Sequence, residues 1–399
     1  MQFDGRLEST NYTMAKHLAK DNYVYYVDRP YTWRDYFQFR NTDSFRTRRP
    51  HFFSSKNCII VTDVPNLKII IAPPVLSINV LPESKLYRLA LKINEWIVGS
   101  RINKVIKNLN ISDYIYINSY NFSFPTLHQL FKPVLTVYHC VDPIIEPYQT
   151  KHGLISEDIL IKNVDLVVST SKELRNKKAL INKNSYFIPN AANISHSLKA
   201  LDPKLPEAAI LSNIKKPVIG YFGAIERRMD YDLVKKLIET NPDKSFVFIG
   251  PIDRYYMKEE DYNAPNLFIK GPVPYELMPA VLKGFDVAII PFKKDEVSNN
   301  IFPLKLFEYL GSGRPVVSTD FNPDLKDFTK DTVFYCKNAE EFSEALTTSL
   351  QDTSLLQKRR LAVAADNTWE HRIIEIKDLL KLNLDKKLLS KDETHPVLI

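Results

Sequence analysis

Lys305 and Glu308 stand three residues apart in SNNIFPLKLFEYLGSGRPVVSTD, Ser298 to Asp320, so on a helix they share one face. Pro303 suits the first helical position, and Gly311 to Gly313 stop the helix before a strand resumes at Pro315. The pair therefore lies near a helix amino end, where backbone amides lack intrahelical partners. A cation and free amides attract phosphate oxygens, while a carboxylate accepts hydrogen bonds from ribose hydroxyls. An ordinary surface ion pair has the same spacing. In Val218 to Leu233, VIGYFGAIERRMDYDL, an apolar run ends at Gly223, and Arg227 and Arg228 precede a helix. Forked guanidinium groups beside a glycine turn can grip a diphosphate, although a solvated surface position explains one of the two arginines as well. SFVFIGP ends another strand at Gly250, where the missing side chain permits close approach of a base or phosphate. Asp230 and Asp232 fit a helix dipole better than a metal, and neither G-x-G-x-x-G nor G-x-x-x-x-G-K-[ST] occurs.

The amino-terminal half holds further candidates. VLTVYHCVD puts His139 and Asp142 just past a buried strand, where a histidine can orient a sugar or support charge at a reacting centre; a satisfied structural histidine is the alternative. Glu157 is either a cleft-facing acid or a solvated one. Arg29, Arg34, Arg40, Arg46, Arg48 and Arg49 fall within 21 residues, interleaved with Tyr31, Trp33, Tyr36, Phe37, Phe39 and Phe45. Such a mixture suits an anionic bilayer, a lipid diphosphate or a single-stranded nucleic acid. The favoured reading is an acceptor or membrane side marked by Arg46, Arg48 and Arg49, without nucleic acid.

These residues need a scaffold that ends strands beside helices. Strand-length apolar runs occur at Tyr23 to Val27, Tyr114 to Ile117, Val134 to Tyr138 and Asp165 to Val168, with a helix over Lys85 to Lys107 and a capping box opening at Thr170. Ala191 to Lys216 reads as a connection. A second series follows, with strands at Pro217 to Phe222, Ser245 to Ile249, Asn266 to Ile269, Asp286 to Ile290 and Pro315 to Ser318. Helices near Asp232 to Thr240, Tyr275 to Lys283 and Pro303 to Leu310 separate them. Alternation of this kind predicts an α/β protein of two doubly wound domains facing across a cleft, with ligands at the strands' carboxyl ends. Met1 to Thr13 reads like the loop and helix that follow a first strand, yet no apolar run precedes it.

Composition narrows the classes. With 399 residues, 44% of them apolar, the chain can bury more than one core. A net charge of +7, from 54 basic against 47 acidic residues, suits anionic small molecules or a membrane surface but not a dedicated nucleic-acid binder. Three distant cysteines write neither a disulfide framework nor a zinc site, and fit a reducing cytosol. Seven of only 10 glycines lie between Gly220 and Gly313, which places tight loops in the second half. The amino terminus lacks the pattern of a signal peptide, and the longest apolar stretch is broken by prolines, so no membrane span is expected.

Ser298 to Asp320 resembles the donor-binding helix of family 4, group 1 type glycosyltransferases of the GT-B fold, especially the bacterial teichuronic-acid and exopolysaccharide type with P-x-K-x-x-E-Y-L followed by G-x-P-V-V. The likeness extends to Val218–Leu233, Ser245–Pro251, Asp165–Leu174, Ile188–Asn190 and Asn367–Arg372, most of the chain from about Val134 onward. It implies transfer of a hexose-type sugar from a nucleotide diphosphate, UDP for preference, to a glycan or polyprenyl-diphosphate-linked acceptor, with retention and without metal or other cofactor. It implies further that Glu308 binds the ribose, that Lys305 and one of Arg227 or Arg228 neutralise the diphosphate, and that Gly223 opens the site. Asn300 occupies the place of a glutamate that contacts the donor sugar in many members. His139, Asp142 and Lys305 become the catalytic candidates. Expected domains are 1–200 on the acceptor side, 201–365 on the donor side, a helix over 366–385 packing back on the first domain, and a polar tail over 386–399. The expected location is cytoplasmic, peripheral to the plasma membrane. A catalytically silent sugar-nucleotide-binding subunit and a nucleotide-sugar epimerase of the same architecture are the rival readings.

Overall fold

The computed structural model describes residues 3–4, 9–54, 57–257 and 263–393, with side chains as far as Leu389, and divides into two compact units. Unit 1 comprises residues 1–188 and 373–399, and unit 2 residues 189–372.

Unit 1 runs α1 (Thr10–Leu18), β1 (Val24–Val27), α2 (Trp33–Gln38), α3 (Asp43–Phe52), β2 (Ile59–Val61), β3 (Leu67–Ile70), α4 (Lys85–Asn108), β4 (Ile115–Ser119), β5 (Leu135–Cys140), α5 (Pro147–Asn163), β6 (Leu166–Ser169), α6 (Lys172–Ala179) and β7 (Ser185–Phe187). Its strands do not form the one open parallel sheet expected. They form a three-stranded sheet in the order β1-β3-β2, with β2 antiparallel to β3, and a separate parallel sheet in the order β4-β5-β6-β7. The runs that become β2, β3 and β7 are only three or four residues long, too short for a period to show. Ser84 caps α4 by accepting from the Tyr87 amide, and Tyr87, Leu91, Val98, Ile102 and Val105 bury one face of the helix. The capping residue of α6 is Ser171 rather than Thr170, whose hydroxyl bonds the Val141 carbonyl instead.

Unit 2 runs α7 (Ile194–Ser197), β8 (Val218–Phe222), α8 (Tyr231–Thr240), β9 (Ser245–Ile249), β10 (Leu267–Lys270), α9 (Met278–Gly284), β11 (Val287–Ile290), α10 (Leu304–Gly311), β12 (Val316–Thr319), α11 (Leu325–Thr329), β13 (Val333–Cys336), α12 (Ala339–Ser349) and α13 (Ser354–Asp366). Its six strands are parallel in the order β10-β9-β8-β11-β12-β13. Chain order thus reverses between β8 and β11, and a doubly wound sheet opens its ligand crevice beyond the carboxyl ends of the strands at that point. Strands covered on both faces read as continuous apolar runs, which is why β8, β9, β11 and β12 were legible as sequence. Phe246, Ile249, Val287, Ile290 and Val317 are fully buried, each worth roughly 1.5–3 kcal/mol of burial. The stretch 191–216, read as a connection, contributes α7 to this core, since a Cβ on Gly311 of α10 would stand 2.4 Å from the Ser197 hydroxyl.

Helix α14 (Trp369–Glu393) crosses from unit 2 into unit 1. Residues 386–393 continue this helix rather than forming a polar tail, and Lys387 pairs with Asp165 at 2.7 Å; residues 394–399 lie outside the described residues. Among the described residues no helix is long and apolar enough to cross a membrane.

Candidate functional site

In unit 2 the loops after β8, β9 and β11 meet at the reversal point. The Gly223 amide donates to the Ile249 carbonyl at 2.9 Å and the Ile225 amide to Pro251 at 2.9 Å, so β8 and β9 stay zipped beyond their ends. A Cβ on Gly250 would lie 2.0 Å from the Gly223 carbonyl oxygen, so only glycine permits this approach. The chain then turns back, with the Asp230 amide bonded to Pro291 at 2.8 Å and the Lys293 amide to the Arg228 carbonyl at 2.7 Å. These bonds set the Arg228 guanidinium 5.5 Å from the Phe292 ring, beside Glu226, with which it pairs. Asp230 caps α8 through the Leu233 amide, as the dipole argument requires.

Helix α10 closes the site. No side chain caps its amino end, and Pro303 stands at the N-cap rather than inside the first turn. Tyr309 holds the helix against the end of β8, its hydroxyl accepting from the Phe222 amide at 2.8 Å and donating to the Phe222 carbonyl at 3.0 Å. Lys305 thereby reaches under Gly223, where an added Cβ would sit 2.5 Å from the ammonium. The ammonium donates to the Tyr221 hydroxyl at 2.5 Å and lies 4.1 Å from the Tyr221 ring and 5.1 Å from that of Phe292. Burial among these rings, and next the neighbouring Arg228 charge, push the Lys305 pKa down to about 7, against the pull of Glu226 and Glu308. Two cations gathered beside a glycine turn and an uncapped helix end can take an anion.

Glu308 is half-buried and does not pair with Lys305. It accepts from the Tyr275 hydroxyl at 2.6 Å, and His196 bonds the Tyr275 carbonyl at 3.0 Å while packing on its ring. Asn300 is buried, donates to the Glu296 carbonyl and leaves its Oδ1 without a partner among the described residues, as do Ser298 Oγ and Asn190 Oδ1.

The profile of the family described as "Glycosyl transferases group 1" matches residues 216–352, the span that holds Tyr221, Gly223, Arg228, Gly250, Lys305 and Glu308. That span, 137 of the chain's 399 residues, is similar to the group 1 glycosyl transferases. TuaH of Bacillus subtilis strain 168, named for glycosyl transfer in teichuronic acid biosynthesis, is 26% identical over 227 residues, 53% of this chain. The match spans 56% of that relative, about half its length. Among solved structures, a sucrose-phosphate synthase of Thermosynechococcus elongatus superposes with a TM-score of 0.62 at 16% identity, over 93% of this chain and 92% of that one. The HepE protein of Anabaena, solved with UDP and glucose, gives 0.54 at 15% identity over 80% and 86%. These likenesses show the GT-B fold.

Several expected residues take other parts. His139 lies inside β5, buried, with Nδ1 2.9 Å from the Ser119 hydroxyl, and burial pushes its pKa down to about 4. It is therefore neutral at physiological pH and carries no charge to a reacting centre. Asp142 is exposed in the loop after β5, in unit 1 like His139. Glu157 is neither cleft-facing nor solvated: it is buried, accepting from Tyr138 at 2.6 Å and paired with Lys178 at 2.6 Å. Arg48 does not belong to an acceptor or membrane surface. It is fully buried in α3, bonded to Asp28 at 2.7 Å and to Asp4 at 2.7 Å, because a buried guanidinium needs carboxylate partners. Arg46 and Arg49 are exposed, as is the Asp43 that pairs with Arg46. Arg227 and Arg228 are both half-buried, and Arg228 is the one beside Lys305. Sequence reasoning missed Tyr221, Phe292, Tyr275 and Glu226, although the aromatic at the end of each strand and the acid beside the arginine pair were readable signals.

Proposed function

We propose that this protein transfers a hexose-type sugar from a nucleoside diphosphate donor, first of all UDP, to a glycan or polyprenyl-diphosphate-linked acceptor in surface polysaccharide synthesis, with retention. The observation that carries this reading is the Lys305 ammonium held under Gly223 with Arg228 beside it. When the bond from the anomeric carbon to the diphosphate breaks, its electron pair stays on the diphosphate, and two preset cations lower the energy of that charge more than they stabilise the intact donor. Glu308, oriented by Tyr275, is set to accept from ribose hydroxyls, and Arg227 and the Gly250 turn border the same loop. The unsatisfied Oδ1 of Asn300 suits a sugar hydroxyl as its missing donor.

The relatives support the finer points. HepE was solved with UDP and glucose, trehalose-phosphate synthases of this fold are named UDP-forming, and another is described by glycosyl transfer with retention. TuaH supports a surface polysaccharide as product. Peripheral contact of unit 1 with an anionic membrane would bring a lipid-linked acceptor within reach and place the protein on the inner face of the plasma membrane.

Thermal stabilisation by UDP against GDP, followed by UDP release with a panel of UDP-sugars, tests the proposal. Lys305→Ala is expected to lower turnover about 10²–10³-fold with a smaller effect on UDP affinity, and Glu308→Ala to weaken UDP binding about tenfold. Wild-type behaviour of both variants would overturn the site. Binding without turnover would favour a silent subunit, and sugar interconversion without UDP release an epimerase.

A further inference from the structure

Tyr221 in β8, VIGYF, is fully buried, with the rings of Phe248 and Phe292 at 5.8 and 6.5 Å. A phenylalanine would fill that apolar space as well and would bury no polar atom, so it is the hydroxyl that asks for an explanation. It donates to the Ala224 carbonyl at 2.7 Å and accepts from the Lys305 ammonium at 2.5 Å. A single oxygen thus ties the cation to the backbone of the loop that begins at Gly223 and carries Glu226, Arg227 and Arg228.

Helix α10 alone does not locate that cation. Tyr309 fixes the helix backbone on Phe222, but the flexible stem of a lysine lets its ammonium sweep a wide arc from a fixed backbone. Three contacts restrain it here: the Tyr221 hydroxyl, the Tyr221 ring at 4.1 Å and the Phe292 ring at 5.1 Å. All three are neutral. A carboxylate in the place of the hydroxyl would also hold the ammonium, but it would cancel the charge that a diphosphate needs. The charged groups facing Lys305 are Arg228 and Glu226 from the loop after β8 and Glu308 from its own helix, and of the two acids Glu226 pairs with Arg228 while Glu308 accepts from Tyr275. An ammonium has three N–H donors; one goes to Tyr221, and two remain for diphosphate oxygens. We propose that Tyr221 is a positioning residue for sugar transfer: through its hydroxyl it sets the Lys305 ammonium at the diphosphate loop and leaves the charge whole. This role rests on the sugar-transfer reading of the same site. Negative charge on the diphosphate grows as the anomeric bond breaks, so a cation out of place costs turnover more than it costs donor binding.

The test is a double-mutant cycle of the parent, Tyr221→Phe, Lys305→Met and the two together, each read for UDP release from UDP-glucose, or from whichever UDP-sugar the parent turns over fastest, and for UDP binding by calorimetry, all well below the lowest Tm of the set. Tyr221→Phe keeps the ring that packs in the core and beside the ammonium, so its Tm is expected to stay within about 4 °C of the parent. Its kcat is expected to fall about tenfold, with KM for the UDP-sugar and Kd for UDP changing less than about threefold. In the Lys305→Met background the same substitution is expected to change kcat less than about twofold, since a residue that acts through the ammonium has nothing left to place. An equal loss in both backgrounds would show a structural role and overturn the proposal, as would parental kcat in Tyr221→Phe. Two other results would overturn the sugar-transfer site and this role together: parental kcat in Lys305→Met, and UDP binding by the parent without turnover of any UDP-sugar.

Discussion

Lys305 holds its proton weakly because its ammonium lies among Tyr221 and Phe292 with Arg228 nearby. An unfolded chain keeps this proton to a pH near the ordinary lysine value, the folded site only to about 7, so folding releases it between those limits. Stability from this group is therefore lowest below pH 7 and rises as pH climbs toward the ordinary value. A bound diphosphate reverses the balance, since its negative charge favours the ammonium. Binding of UDP at pH 8 is accordingly expected to take up close to one proton, read by calorimetry in buffers of different ionisation enthalpy, and affinity should fall as pH rises above about 7. Lys305→Met should abolish the uptake. Equal uptake by that variant would place the diphosphate elsewhere. Gly250 poses a steric problem instead: a methyl group 2.0 Å from the Gly223 oxygen forces the two loops apart. Gly250→Ala should cost about 1–3 kcal/mol in denaturant unfolding and weaken UDP binding along with it, and a variant as stable as the parent would contradict the close approach.

At the scale of elements, the strands covered on both faces announced themselves, and so did α10, because Pro303 and Gly311 to Gly313 bracket its start and stop. The exposed or very short strands β2, β7 and β13 did not, since half-buried backbone carries mixed residues and leaves no period. Among the candidate residues, Lys305, Gly223 and Gly250 were legible because backbone geometry and charge demand those types. The partner of Glu308 was not: Tyr275 is 33 positions away and joins it only through tertiary packing. His139 was legible as a histidine at a strand end but not as a buried neutral one, which depends on what covers β5. That burial has a measurable consequence. The folded state holds His139 neutral down to about pH 4 while the unfolded chain protonates it near the ordinary histidine value, so stability falls as pH drops between these limits. His139→Asn should remove about 3 kcal/mol of that acid sensitivity, seen as a flatter dependence of unfolding free energy between pH 7 and 4. An unchanged slope would show that the imidazole is not sequestered.

On the scale of the molecule, the outer face of unit 1 decides whether it meets a membrane. Helix α4 turns Leu86, Leu89, Ile93 and Trp96 outward at spacings of three, four and three, with exposures of 63%, 60%, 44% and 63%. Exposed Lys85, Lys92, Lys104 and Lys107 flank them. Asn94 of α4 holds Leu76 by two hydrogen bonds, and the adjoining Ser77 bonds the Arg34 amide of α2, so the stripe lies next to a second group of exposed rings, Trp33, Phe37 and Phe53, stacked together among Arg34, Arg40, Arg46 and Arg49. Apolar stripes of this extent on a water-facing helix, rimmed by cations, match the interfacial region of an anionic bilayer. Vesicles containing phosphatidylglycerol should bind the protein and shift Trp fluorescence to the blue, phosphatidylcholine vesicles much less. Leu89→Ser and Trp96→Ser should each weaken partition about tenfold, Arg46→Ala and Arg49→Ala about fivefold each at low salt, the latter effects fading as salt screens them. Arg48→Met separates surface from core: buried between Asp28 and Asp4, it should leave partition of the folded protein unchanged while destabilising it by about 3–5 kcal/mol. Equal binding to neutral vesicles, or no loss in the α4 variants, would exclude this face as the docking surface.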